Sequence, residues 1–305
     1  MTPPHETPAS PRPPLWRRVW PILALFGVLT LALTWPLVRY LGSRLPGTAT
    51  WAFDESTFVW NIWHFKHALI DLGTSPLRSE LIWVPLGIDL ILYTYNFFNA
   101  LIGMPLLLAF SPVVASNVTV LLATFLSALG AYLLALDTLP RARPDLPRGH
   151  LRLAAALAGV IYAFASNRAI YAALGHYDMV TTQWLPFYAL YLLRTLRQPR
   201  IKNAALAGLF FAMASYAEMI FASFLALLSI ILLLVSWRGL RERGKALLYA
   251  GLAALVAVVI WSPALVPIGR EFTRGNYALE GWGESIKLSA DAVGLVSPTD
   301  LNPLL

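Results

Sequence analysis

Residues 203–237 form one apolar run of about 35 residues, roughly twice the length that crosses a bilayer. A run of that length must fold back on itself. Its polar interruption, Ser215-Tyr216-Ala217-Glu218, marks the tip of a helical hairpin. Further apolar runs occupy 20–41, 93–111, 113–136, 151–167, 179–196 and 246–267. With 58% hydrophobic and only 13% charged residues, the chain falls outside the range of ordinary soluble domains. The fold class expected is all-α: a polytopic helical membrane protein of about seven spans, with amphipathic juxtamembrane helices in the first external loop. The absence of cysteine excludes disulfides and thiolate metal sites. The five histidines are scattered without a His-x-x-x-His pair, which argues against a zinc site.

The distribution of charge sets the topology. Fifteen of the 23 Lys and Arg residues lie in four places: Arg12, Arg17 and Arg18, then the loops 138–152, 194–202 and 238–245. The positive-inside rule puts all four in the cytoplasm, so the net charge of +7 reads as topology and nucleic acid is not an expected partner. Carboxylates gather on the opposite, external side. For the loop 138–152 to be cytoplasmic, one of the runs 93–111 and 113–136 must not cross. The run 93–111 carries Asn96, Asn99, Gly103 and Pro105 and is expected to be embedded or re-entrant; the alternative is that it spans and the positive-inside rule is broken at one loop. The expected spans are then 19–41, 113–136, 151–167, 179–196, the two arms of 203–237, and 246–267. The Pro-rich residues 1–18 are expected to be a disordered cytoplasmic N-terminus, 19–269 the membrane module with an external loop at 42–112, and 270–305 an external segment, cut short. The location expected is a cell membrane, inner or plasma, with the N-terminus cytoplasmic.

After the first span comes Trp51 to His67, WAFDESTFVWNIWHFKH. Asp54 and Glu55 open a helix with Phe58, Ile62, Phe65 and Leu69 on one side and Trp60, Trp63 and His67 flanking. Such a helix suits a membrane–water interface. The acids read either as an N-terminal cap or as a functional pair, because ionisable groups at membrane positions tend to be functional. The other external groups are Asp178 before the fourth span, Glu218 at the hairpin tip, and the cations Lys66, Arg78, Arg168, Arg270 and Arg274. Arg168 also reads as an interfacial anchor. In Gly175-His176-Tyr177-Asp178, glycine closes a short helix and His176 adds a group that moves protons near neutral pH. Pro85-Leu86-Gly87-Ile88-Asp89 reads as a turn. Together these groups suit glycosyl transfer: a carboxylate takes a proton from an acceptor, and cations stabilise a leaving phosphate.

This pattern resembles the GT-C glycosyltransferases that use polyprenyl-phosphate sugars. It is similar to bacterial aminoarabinose-transferase and protein-mannosyltransferase relatives and to YfhO-like membrane proteins. The residues that carry the resemblance are Phe53-Asp54-Glu55 after the first span, the stretches 57–72 and 93–111 as juxtamembrane helices, and Asp178 within GHYDMVTTQWLP. Tyr216-Ala217-Glu218 departs from it, since many aminoarabinose-transferase-like members carry a lysine near that tip. The resemblance implies Asp54 as the catalytic carboxylate, with Asp178 supporting it or the acceptor. Glu55 is its neighbour. Lys66, Arg168, His176, Glu218 and Arg270 are the substrate-binding candidates. The partners implied are the lipid bilayer, a polyprenyl-phosphate sugar donor, and an external glycan, lipid or protein acceptor. No cofactor is firmly implied; magnesium or manganese at Asp54, Glu55 and Asp178 is an open option, because carboxylate oxygens suit these ions. The alternative functions are a transporter or flippase for a lipid-linked or amphipathic molecule, with the acids as a proton relay, and a non-catalytic envelope-assembly protein.

Overall fold

The computed structural model describes residues 15–47 and 54–274. The chain divides into two units, Met1–Leu265 and Val266–Leu305. Of the second, only the last turns of one helix are described. Residues 1–14, Phe53 and 275–305, on which several expectations fall, lie outside the described residues.

The structure is built from helices: α1 (Leu15–Leu33), α2 (Asp54–Lys66), α3 (Phe97–Gly103), α4 (Pro112–Ala142), α5 (Arg148–Ala163), α6 (Ser166–Ala173), α7 (Tyr177–Val180), α8 (Trp184–Arg197), α9 (Ile201–Ala217), α10 (Met219–Ser236) and α11 (Arg243–Arg274). Among the described residues, four segments are long and apolar enough to cross a membrane: Pro112–Ala142, Arg148–Ala173, Met219–Gly239 and Arg243–Arg274. The apolar part of α1 and α9 are shorter, and α8 has 14 residues. Leu227, Ile230, Leu234 and Val235 on α10 and Leu248, Leu255 and Val259 on α11 are all exposed. An apolar surface of that extent suits lipid rather than water.

α4 is the central post. Ser111 caps it by accepting from Val114 N–H at 3.3 Å, and Pro112 occupies the first turn, where no intrahelical donor is needed. Its buried stripe is made of small residues, including Ala115, Ala123, Ala128, Ala131 and Ala135. Small residues let helix backbones approach closely where lipid supplies no hydrophobic drive. The approach is tight at Gly159 on α5, where a Cβ would lie 2.7 Å from Ala128 O.

The expected hairpin at 203–237 is α9 and α10, separated by the single extended residue Glu218. The stretch 93–111 forms no crossing helix. Asn96 caps α3 through Asn99 N–H at 2.7 Å, and a 3-10 turn follows at Met104–Leu108, with Pro105 near its start. Proline lacks the donor a continuing α-helix would use. Four expectations need correction. α1 begins at Leu15, inside the stretch expected to be disordered, because the prolines that oppose a helix end at Pro14. It stops at Leu33, eight residues before the expected end of the first span, as Pro36 is approached. The loop after α5 is partly helical, as α6. The external loop of a fold expected to be all-α contains, besides helices, a two-stranded antiparallel pair, β1 (Arg78–Ser79) with β2 (Ile88–Asp89). Gly87 makes the turn into β2 with φ +67, a conformation that favours glycine.

Candidate functional site

The site lies where α2, the α6–α7 connection and the α9–α10 corner meet. Asp54 is the first residue of α2, where a carboxylate is favoured by the helix dipole. α2 is held by Asn61, which donates to Thr94 O at 2.9 Å, and by Gly103, where a Cβ would lie 2.8 Å from Ile62 Cγ2. Phe58 and Ile62 are buried as the spacing predicts, but Asn61 and His64 are buried too and Leu69 is exposed. α2 therefore packs into protein on a face that includes polar residues. His64 stacks on Trp60, with centroids 4.5 Å apart, and burial lowers its pKa from the ordinary value.

The connection after α6 carries the local logic of the site. Gly175 N–H donates to Ala172 O at 3.2 Å and His176 N–H to Tyr171 O at 3.0 Å, the paired bonds of a Schellman cap. Gly175 has φ +77, and a Cβ there would lie 2.7 Å from Glu55 Oε2 and 3.0 Å from Glu55 N. The glycine cap thus seats the connection directly on the start of α2. The next residue, His176, meets Asp54: Nδ1 to Oδ2 is 3.2 Å. Both side chains are half-exposed, so the pair contributes on the order of 0–1 kcal/mol to stability and is better read as positioning.

Asp178 follows within α7. One of its oxygens accepts from Met179 N–H at 2.8 Å. Glu218, at the corner between α9 and α10, accepts from Ile220 N–H at 3.2 Å. The two carboxyls adjoin each other. Burial raises both above the ordinary carboxylate range; the Asp54 charge pushes Asp178 the same way, and Asp178 pushes Glu218. Two adjoining carboxyls in that setting disfavour double ionisation.

The connection is braced from below. Tyr177 donates to Pro46 O at 2.6 Å and packs on Phe58, with centroids 5.7 Å apart. Thr181 donates to Tyr177 O at 2.6 Å and accepts from Asn96 at 3.2 Å and Asn99 at 2.9 Å. The embedded α3 is thereby tied to the Asp178 turn, which explains its asparagines.

Arg168 is no interfacial anchor. It is buried, and it donates to Ser127 Oγ at 3.1 Å, to Thr124 Oγ1 at 3.4 Å and to Thr182 Oγ1. These partners are hydroxyls, not carboxylates, so the guanidinium charge is not neutralised by any of them. It lines a cavity of about 460 Å³, mostly apolar, whose wall also includes Leu37, Tyr40, Arg44, Phe164 and Val180. The Arg44 guanidinium stacks on Tyr40, 4.9 Å from the ring centroid. Tyr40 and Arg44 were not among the expected site residues; their signal was only that they follow the first span as an aromatic and a cation.

The structure brings Asp54, His176, Asp178, Glu218 and Arg168 to one end of the helices of the first unit. Glu55 adjoins them but is enclosed between Gly175 and Gly47, where a Cβ would lie 3.2 Å from Glu55 Cδ. Lys66 is not brought in: it lies twelve residues along α2, about 18 Å by helical rise, and pairs with Asp71 at 2.7 Å. Arg270 is exposed in the last turns of α11 and belongs to the second unit. Asp54, Glu55 and Asp178 do not converge as an ion site. Asp54 faces His176, Asp178 faces Glu218, and among the described residues no three His, Asp or Glu are arranged to hold a metal ion. No family model, curated protein or solved structure matches the chain.

Proposed function

We propose that the chain is a membrane glycosyltransferase that moves a sugar from a polyprenyl-phosphate donor to an external acceptor. The reading takes seven helices as spans: α1, α4, α5 with α6, α8, α9, α10 and α11. The basic loops lie on the cytoplasmic side of a cell membrane, and the Asp54 end of the bundle is external. The observation that carries the reading is the pairing of Asp54 with His176 beside a mostly apolar cavity that contains a buried arginine.

In this reading the isoprenoid lies along the apolar cavity wall and Arg168 meets the donor phosphate. Asp54 takes the proton from the acceptor hydroxyl or amine as the acceptor attacks the anomeric carbon. The bond from that carbon to the phosphate oxygen breaks, the phosphate leaves with the electron pair, and Arg168 stabilises its growing charge. His176 holds Asp54 in one orientation. No step runs through a metal.

A second reading has one observation in its favour. The half-buried Asp178–Glu218 pair, whose carboxyls are both pushed towards the protonated form, is what a proton-coupled transporter or flippase requires. Reconstituted vesicles loaded with a polyprenyl-phosphate sugar separate the two. The transferase reading expects the sugar–phosphate bond to be cleaved in the presence of an acceptor. Movement of the intact lipid between leaflets without cleavage refutes it and establishes the transporter.

A further inference from the structure

At the other end of α4 is a group that the proposed reaction does not use. Asp137 is only 7% exposed, yet three arginines meet it: Arg141 at 2.6 Å, Arg194 at 2.8 Å and Arg197 at 3.2 Å. They come from two helices, α4 and α8. Their side chains are 35–49% exposed, so the carboxylate sits inside and the guanidiniums face outward. Arg194 is fixed further by stacking on Tyr191, 5.3 Å from the ring centroid. One carboxylate against three guanidiniums leaves two positive charges uncompensated.

The residue after Asp137, Thr138, lines an open groove of about 460 Å³ between α4, α5 and α8. Leu134, Ala158, Tyr162, Leu185 and Pro186 form its wall, and no charged residue lines it. The α4 side of the groove runs from Ala131 to Thr138, about 10 Å by helical rise, and Arg141 lies one turn beyond. An apolar trough thus ends against a fixed cationic cluster on the same helix.

We infer that this end of the bundle binds one anionic phospholipid, its phosphate on the Arg141–Arg194–Arg197 cluster and an acyl chain in the groove. Charge selects the occupant: a net cluster of two positive charges favours an anionic headgroup over a zwitterionic one. Guanidiniums present the paired donors that phosphate oxygens accept. The site rests on the membrane location of the chain and not on the proposed reaction.

The test is native mass spectrometry of the purified full chain in neutral detergent, titrated with phosphatidylglycerol or phosphatidylcholine. At about fivefold per uncompensated charge, phosphatidylglycerol should bind about 25-fold more tightly. Replacing all three arginines with glutamine should erase the preference. Because that variant leaves Asp137 unpaired and can fail to fold, Asp137→Asn is the second arm. It frees a third positive charge and should tighten phosphatidylglycerol binding by about fivefold. Inorganic phosphate at millimolar concentration should leave the lipid bound. Equal affinity for the two lipids, weaker phosphatidylglycerol binding by Asp137→Asn, or displacement by inorganic phosphate would each overturn the inference.

Discussion

Gly175→Ala is the most exacting perturbation of the site, because it replaces none of the charged groups. Gly175 is at φ +77, where an L-residue costs about 1–2 kcal/mol. The new methyl group would meet Glu55 Oε2 at 2.7 Å and Glu55 N at 3.0 Å. The carboxylate end can swing aside, but the backbone nitrogen belongs to the first turn of α2 and must move by a few tenths of an ångström. Overpacking of that kind costs about 1–3 kcal/mol, so the sum is on the order of 2–5 kcal/mol. The same shift lengthens the 3.2 Å Asp54–His176 contact. Thermal unfolding of the purified chain in detergent measures the loss. Glu55→Ala in the same background removes only the carboxylate contact and leaves those to Glu55 N and Cβ, so most of the destabilisation should persist in the double mutant. A Gly175→Ala protein within about 0.5 kcal/mol of wild type, or a double mutant restored to the stability of Glu55→Ala alone, would refute the close seating of this turn on the start of α2.

Three further outcomes follow from the same geometry. Arg168→Gln removes a buried charge that its hydroxyl partners do not neutralise, so stability should hold or rise while donor turnover falls by about 10–100-fold; a matched loss of both would make Arg168 structural. Because Asp178 and Glu218 have raised pKa values, the folded chain binds their proton more tightly than the unfolded chain does. Their contribution to stability is therefore greatest at low pH and is lost as pH rises through the folded values, and Glu218→Gln should flatten that part of the pH dependence, as unfolding between about pH 4 and 8 would register; an unchanged slope contradicts the raised pKa values. Gly103→Ala drives a methyl group to within 2.8 Å of Ile62 and should destabilise by about 1–3 kcal/mol, with a loss of turnover as α3 loosens from the Asp178 turn; unaltered melting would argue against that contact.

The helical architecture was legible because apolar run length and basic loops are properties of the sequence alone. The hairpin at 203–237 needed only the observation that 35 residues are too many for one crossing. The meeting of Asp54, Asp178 and Glu218 was legible in outline, since charge placed all three at one set of helix ends. What joins them was not. The seating of Gly175 on Glu55 depends on the rotation of α2, and no spacing rule encodes that. Arg168 was misread because its partners, Thr124 and Ser127, lie on another helix about forty residues earlier, and hydroxyls at helical spacing look like ordinary packing. Lys66 was overvalued for the opposite reason. Its partner Asp71 is only five residues away, but sequence counts both as external charges without showing that they satisfy each other. The three arginines on Asp137 were visible only as separate contributions to basic loops.

The central claim is that Asp54 is the base for sugar transfer from a lipid phosphate. It is tested most directly by measuring release of polyprenyl phosphate from a polyprenyl-phosphate sugar by the full-length protein and its Asp54→Asn variant, at equal amounts of folded protein. The account predicts acceptor-dependent release by wild type and a loss of at least about 100-fold in the variant. Equal release by the two proteins, or none by wild type with any acceptor class, contradicts it.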